Sequence, residues 1–162
     1  MNAFHLAQLN VGRLLVPLAS AEMDEFRALL DEINAIADRT PGFVWRMLQA
    51  DTDPTPFQRN PDDVMLVNMS VWSDMESLER YVYADEHLAV MKRRREWFHK
   101  LGDAHMALWW IPAGHVPTLA EAATRLAFLT AHGPTEDAFT FKAVFPTPDF
   151  DAEPLQRAAG ST

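Results

Sequence analysis

Met65-Leu66-Val67-Asn68-Met69-Ser70-Val71-Trp72-Ser73-Asp74-Met75-Glu76-Ser77-Leu78-Glu79-Arg80-Tyr81-Val82-Tyr83 is the stretch that decides the fold. Up to Trp72 it alternates, with Met65, Val67, Met69 and Val71 opposite Leu66, Asn68, Ser70 and Trp72. Alternation with period two predicts a β-strand. Ser73 and Glu76 then stand at capping-box spacing, where hydroxyl and carboxylate can reciprocally satisfy the free amides of a helix start. The spacing predicts a helix to about residue 83.

Working outward towards the N-terminus, residues 43–48 read as a strand, and residues 51–63, with three prolines and no periodicity, as a loop. Before them Phe26, Leu29, Leu30, Ile33, Ile36 and Ala37 form one apolar helical stripe within residues 21–39. Ser20 is its expected N-cap and Pro41-Gly42 its stop. Residues 4–15 predict the first strand, with His5, Ala7, Leu9 and Val11 opposite Phe4, Leu6, Gln8 and Asn10.

Towards the C-terminus, a helix is expected over residues 85–101, with His87, Val90, Met91, Arg94, Trp97, Phe98 and Leu101 along one face and Gly102 closing it. Residues 105–111 read as a strand, and Thr118 with Glu121 as a second capping box opening a helix to about residue 130. A late strand over 139–145 precedes a Pro/Ala/Gly-rich tail, residues 146–162, expected to fray. The order β-α-β-β-α-β, with an added helix and strand, is the split βαβ pattern. It predicts an α+β, ferredoxin-like sheet with helices on one face, as a single domain over residues 1–145.

The chain has 162 residues, 48% of them hydrophobic and 23% charged, which suits one domain with a real apolar core. Lys and Arg number 14 against 23 Asp and Glu, a net charge of −9, which argues against nucleic acid as a partner. With no cysteine, disulfides, thiolate metal sites and a cysteine nucleophile are excluded. No apolar run is long enough to span a bilayer, and the N-terminal residues lack a signal-peptide pattern, so no membrane partner and a cytoplasmic location are expected.

A face carrying Leu6, Gln8, Asn10, Leu66, Asn68, Ser70 and Trp72 mixes large apolar groups with short amides and a hydroxyl. That combination is expected of a ligand pocket or a wet dimer interface, here on the sheet face that no helix covers. Pro41-Gly42-Phe43-Val44-Trp45-Arg46, Asn68-Met69-Ser70-Val71-Trp72, Arg95-Glu96-Trp97-Phe98 and Trp109-Trp110-Ile111-Pro112-Ala113-Gly114-His115 carry a resemblance. In them the chain resembles an uncharacterised bacterial family with the dimeric α/β-barrel fold, related to antibiotic-biosynthesis monooxygenases. The resemblance implies a homodimer whose sheets close face to face, with a cavity inside the barrel or between each sheet and its own helices. It also implies relatives among cofactor-free monooxygenases, isomerases, dehydratases and haem-degrading enzymes. The last pair an Asn on the first strand with a Trp and a following His; this chain offers Asn10, Tyr81 and His87, departing at two positions.

His87, able to act as base, acid or ligand near neutral pH, is the first catalytic candidate; its structural alternative is a helix-start histidine bonded to Asp85 or Glu86. Arg94, on the apolar stripe within Lys92-Arg93-Arg94-Arg95, would hold developing negative charge, and Asn10 would orient polar groups. Gln8, Arg46, Asn68, Ser70, Trp72, Tyr81, Met91 and Phe98 complete the candidate ligand-binding set. Arg94 and Arg46 could each instead serve a structural ion pair. Trp109 and Trp110 must point to opposite faces of their strand. The six histidines show no HxH, HxxxH or HExxH spacing, and no GxGxxG, P-loop or GxSxG motif occurs. The expectation is a small-molecule enzyme without metal or nucleotide cofactor, oxygenating or isomerising an apolar, enolisable or anionic metabolite. The alternatives are a non-catalytic ligand-binding protein and a haem-binding or haem-degrading one.

Overall fold

A computed structural model describes residues 3–100 and 105–148. The elements run β1 (Phe4–Arg13), α1 (Asp24–Arg39), β2 (Phe43–Arg46), β3 (Met65–Trp72), α2 (Met75–Val82), α3 (Asp85–Lys92), β4 (Met106–Pro112) and α4 (Leu119–His132). Single 3₁₀ turns lie at Ala21–Met23, Gln49–Asp51, Thr55–Phe57 and Arg94–Glu96. The four strands form one sheet in the order β2-β3-β1-β4, and every pairing is antiparallel. This is the ferredoxin-like arrangement that the split βαβ pattern predicts. Among the described residues, no helix is long and apolar enough to cross a membrane.

Local chemistry explains most boundaries. Thr118 caps α4 as the box predicts, its hydroxyl accepting from the Glu121 amide at 3.1 Å. At α2 the box is displaced by one residue: Asp74, not Ser73, is the N-cap and accepts from the Ser77 amide at 2.8 Å. A carboxylate is the stronger acceptor there, because it also meets the positive end of the helix dipole. Ser20 makes no side-chain cap; it precedes the 3₁₀ turn, and Met23 stands before α1. Gly42 is required in the turn into β2, where φ is +92° and an added Cβ would run into the Ser77 side chain.

Two expected elements are shorter than the sequence suggests. The helix from Asp85 ends at Lys92, because the chain is drawn onto the end of β1. The Leu15 amide donates to the Trp97 carbonyl and the His99 amide to the Arg13 carbonyl, each at 2.8 Å, and Leu14 bridges Phe98. Arg93 ties the turn down through Glu25 and Glu96 and lies over the Trp97 ring. The expected strand at 139–145 is reduced to isolated bridges, Leu108 with Phe139 and Thr140 with Ala143. Leu101, Gly102 and the tail beyond residue 148 lie outside the described residues.

Both faces of the sheet are covered, and the assignment of the faces differs from expectation. The face carrying Leu6, Leu66 and Trp72 packs against α1–α3, with Phe26, Ala37 and Leu78. It is therefore the inner face of the ferredoxin unit and not an uncovered one. The opposite face, with Ala7, Leu9, Val67, Met69, Val71, Trp109 and Ile111, is buried beneath the appended α4 through Ala122, Leu126 and Leu129. Alternation could not separate the two, because both faces are largely apolar and each reads as a core face. The surface on which two barrel sheets would close is thus already buried within the single chain.

Candidate functional site

Between the inner sheet face and α1–α3 lies a cavity of about 330 Å³. Its floor is set by strand register: Leu6 pairs with Trp72, Gln8 with Ser70, Asn10 with Asn68 and Gly12 with Leu66. Four polar side chains therefore stand side by side in an otherwise apolar surface, because residues two apart on a strand share a face. The roof comes from α1 (Leu30, Ile33, Asn34) and α3 (His87, Val90, Met91). At one end Phe98 lies against Gly12, where an added Cβ would stand 2.6 Å from its ring.

Donor and acceptor inventory orients the floor. The Trp72 indole N–H can only donate, and it donates to Ser70 Oγ at 2.9 Å. Ser70 then donates its own proton to Gln8 Oε1 at 2.9 Å. With Gln8 Oε1 accepting from Ser70, its NH₂ is left towards the cavity. Asn10 makes no side-chain hydrogen bond among the described residues, and Asn68 Oδ1 accepts only a long bond, 3.5 Å, from Gln49. The floor thus offers amide N–H donors to an occupant, aligned by a relay that begins on a fully buried indole.

The aromatic wall continues from Trp72. Tyr81 stacks on it at 5.1 Å between centroids with 21° between planes, and His87 meets Tyr81 edge-on at 4.9 Å. Burial pushes the Tyr81 phenol well above its ordinary range, so it stays protonated and its O–H approaches the Ile33 carbonyl at 3.5 Å. Burial also lowers the His87 pKa, only partly offset by the Val82 backbone, and Nδ1 is buried without a hydrogen-bond partner. The imidazole is therefore neutral at pH 7, and no bond to Asp85 or Glu86 holds it.

Every sequence-derived candidate lines this one cavity: Gln8, Asn10, Arg46, Asn68, Ser70, Trp72, Tyr81, His87, Met91, Arg94 and Phe98. Two need reassignment. Arg46 makes a forked pair with Asp38, at 2.7 and 3.1 Å, which lowers the Asp38 pKa through the hydrogen bond and the Arg46 charge. Its guanidinium is held in an ion pair, the structural alternative for this residue, while it still lines the cavity. Arg94 is exposed, because α3 ends before it, so it stands at the rim and not over the floor. Asn34, Trp97, His99 and His105 also line the cavity and were missed. Asn34 was legible as a polar position between Ile33 and Ala37 on the inner stripe of α1; His99 and His105 carried no local signal. Trp109 points the other way, giving its N–H to Glu121 at 2.9 Å beneath α4, while Trp110 donates to the Phe145 carbonyl.

Among the described residues no group of three or more His, Asp or Glu could hold a metal ion. Haem does not fit the residues present: the cavity is at the lower end of drug-sized pockets, and His87, its expected ligand, is packed edge-on against Tyr81 with Nδ1 buried.

Residues 5–155 match the domain of unknown function DUF3291. The chain belongs to the DUF3291 family. No curated protein matches this DUF3291 chain. Among solved structures it is similar to SnoaB, a cofactor-independent oxygenase from Streptomyces nogalater, with 22% identity over 72% of this chain and 98% of that one and a TM-score of 0.45. It is also similar to a conserved protein from Methanosarcina mazei, with 13% identity over 68% of this chain and 93% of that one and a TM-score of 0.47. A third is a dabb family protein with a ferredoxin-like fold from Mesorhizobium loti, with 18% identity over 71% of this chain and 98% of that one and a TM-score of 0.41.

Proposed function

We propose that the DUF3291 chain is a small-molecule enzyme that removes a proton from an enolisable, largely planar substrate in the cavity between its sheet and α1–α3, using no nucleotide cofactor. The observation that carries this reading is that one largely apolar cavity is lined both by a row of amide side chains and by a buried histidine. On the floor, the Trp72–Ser70–Gln8 relay leaves the Gln8 amide N–H facing the cavity beside Asn10 and Asn68. On the roof, His87 is neutral and partly desolvated, the form a general base requires.

In the proposed step, a C–H bond next to a carbonyl breaks, the proton goes to His87, and the electron pair moves onto the carbonyl oxygen as an enolate. The amide N–H groups receive that oxygen, which is electrostatic stabilisation of charge that develops only in the transition state. Tyr81, backed by the buried Trp72 on which it stacks, offers flat surface for the conjugated body of the substrate. The enolate has two exits. Reprotonation at another carbon is an isomerisation. Transfer of electrons to dioxygen converts a CH₂ group and O₂ to a ketone and water, with O₂ as the only oxidant. The second follows the activity printed for SnoaB, the cofactor-independent oxygenase above.

Anthrone, a flat tricyclic ketone with an activated methylene, is the probe. In an oxygen electrode the wild-type protein is expected to consume O₂ with formation of the diketone. His87→Gln is expected to lose about a hundredfold or more of that rate. Binding of anthrone without O₂ uptake or isomerisation would refute catalysis and leave a binding protein.

A further inference from the structure

The chemistry of the cavity wall narrows the substrate further, given that the cavity is the ligand site proposed above. The protein carries a net charge of −9, with 23 Asp and Glu spread along the chain. Yet no described residue lining the cavity is an Asp or Glu, whereas Arg46, His87, Arg94, His99 and His105 all line it. A wall without carboxylates in so acidic a chain is a local inversion of charge.

The basic groups are not equivalent. Arg46 is neutralised by Asp38 and His87 is buried neutral. Arg94 differs from its neighbour Arg93, which holds Glu25 and Glu96: among the described residues Arg94 has no ion pair and no side-chain hydrogen bond. His99 and His105 are held to one place by the backbone. The His99 amide donates to the Arg13 carbonyl at 2.8 Å, and the His105 carbonyl accepts from the Val11 amide at 2.8 Å. Both therefore flank the C-terminal end of β1, beside Asn10 and Phe98. Arg94 and His99 are exposed, so this is where the cavity meets solvent. Trp72 and Tyr81 mark the opposite, closed end.

We infer that the ligand carries a carboxylate, held at the open end by Arg94 with His99 and His105, while its flat apolar body reaches inward to the Trp72–Tyr81 wall. An unpaired guanidinium at a rim offers a planar fork of donors that matches a carboxylate. In a protein whose overall field repels anions, a local basic mouth also decides which ligands enter.

Naphthoate and naphthamide test this, because they share shape and differ in charge, and neither has an enolisable position. Binding is followed by quenching of tryptophan fluorescence and by calorimetry. The wild-type protein is expected to bind naphthoate about fivefold or more tighter than naphthamide, with the gap narrowing as salt is raised. Arg94→Gln removes the preference and leaves naphthamide binding unchanged, and Arg95→Gln, an exposed cation off the cavity wall, leaves both unchanged. His87→Gln retains the preference, so loss of turnover and loss of carboxylate selection are separate results. Equal affinity for the two probes, no binding of naphthoate, or an Arg95→Gln loss equal to that of Arg94→Gln would overturn the assignment.

Discussion

Replacing Ser70 by Ala breaks the relay on the cavity floor at its middle member. Ser70 accepts from the Trp72 indole at 2.9 Å and donates to Gln8 at 2.9 Å. Trp72 is fully buried, so Ser70→Ala leaves its N–H without a partner and without water. An unsatisfied buried donor costs about 1–3 kcal/mol. In a domain of this size that lowers Tm by about 3–10 °C. Trp72→Phe removes the donor instead, at the expense of packing against Tyr81 and Phe43. In the double variant no donor remains to be stranded, so the combined loss should fall short of the sum of the single losses by about 1–2 kcal/mol. Urea denaturation of the four proteins measures this coupling. Additivity to within about 0.3 kcal/mol would refute the relay, and with it the argument that Gln8 turns its NH₂ to the cavity.

Other perturbations address other parts of the account. Burial holds the His87 pKa below its ordinary value of 6.5, so between those two values the unfolded chain binds more protons than the folded one. The stability from this group is complete above pH 6.5 and is lost as pH falls through the depressed folded value; His87→Gln should flatten the stability–pH curve in that window, and an unchanged curve would contradict burial of a neutral imidazole. Gly42→Ala forces a side chain onto a φ of +92° and into Ser77, and should cost about 2 kcal/mol or more in denaturant unfolding; a neutral result would contradict the turn geometry. A homodimer, expected from the family resemblance, must use a surface other than the sheet face beneath α4. Amide hydrogen exchange at Ala107–Ile111 and along α4 should be slow and independent of protein concentration. Loss of α4 protection as concentration rises would show a partner sheet displacing it.

The sequence was most legible where a single local rule was uncontested. Residues 65–72 alternate cleanly and end at a helix-capping run, and β3 occupies the same span. Thr118 caps α4 at its predicted position for the same reason. Long-range contacts overruled local rules elsewhere. The periodic stripe from His87 to Phe98 reads as one helix, but the pairing of Leu15, His99 and Phe98 with the end of β1 stops it at Lys92. The side chains still reach the cavity, by a different route, and that route moves Arg94 to the rim. The candidate set was legible because Gln8, Asn10, Asn68 and Ser70 are polar positions in an apolar alternation. Which layer they faced was not, because Ala7, Leu9, Val67 and Val71 on the other side read equally as core. His99 and His105 join the site only through backbone bonds to β1, which no spacing rule encodes.

Proton removal by His87 opposite the amide floor is the central claim, and exchange of the anthrone methylene protons in deuterated water, followed by NMR without oxygen, tests it most directly. Without oxygen the chemistry after the enolate is removed, so the signal reports the first step alone. The account predicts exchange accelerated by the wild-type protein and slowed about a hundredfold or more in His87→Gln, with a smaller loss in Gln8→Ala. Equal exchange in wild-type and His87→Gln protein, with anthrone bound to both, would contradict it.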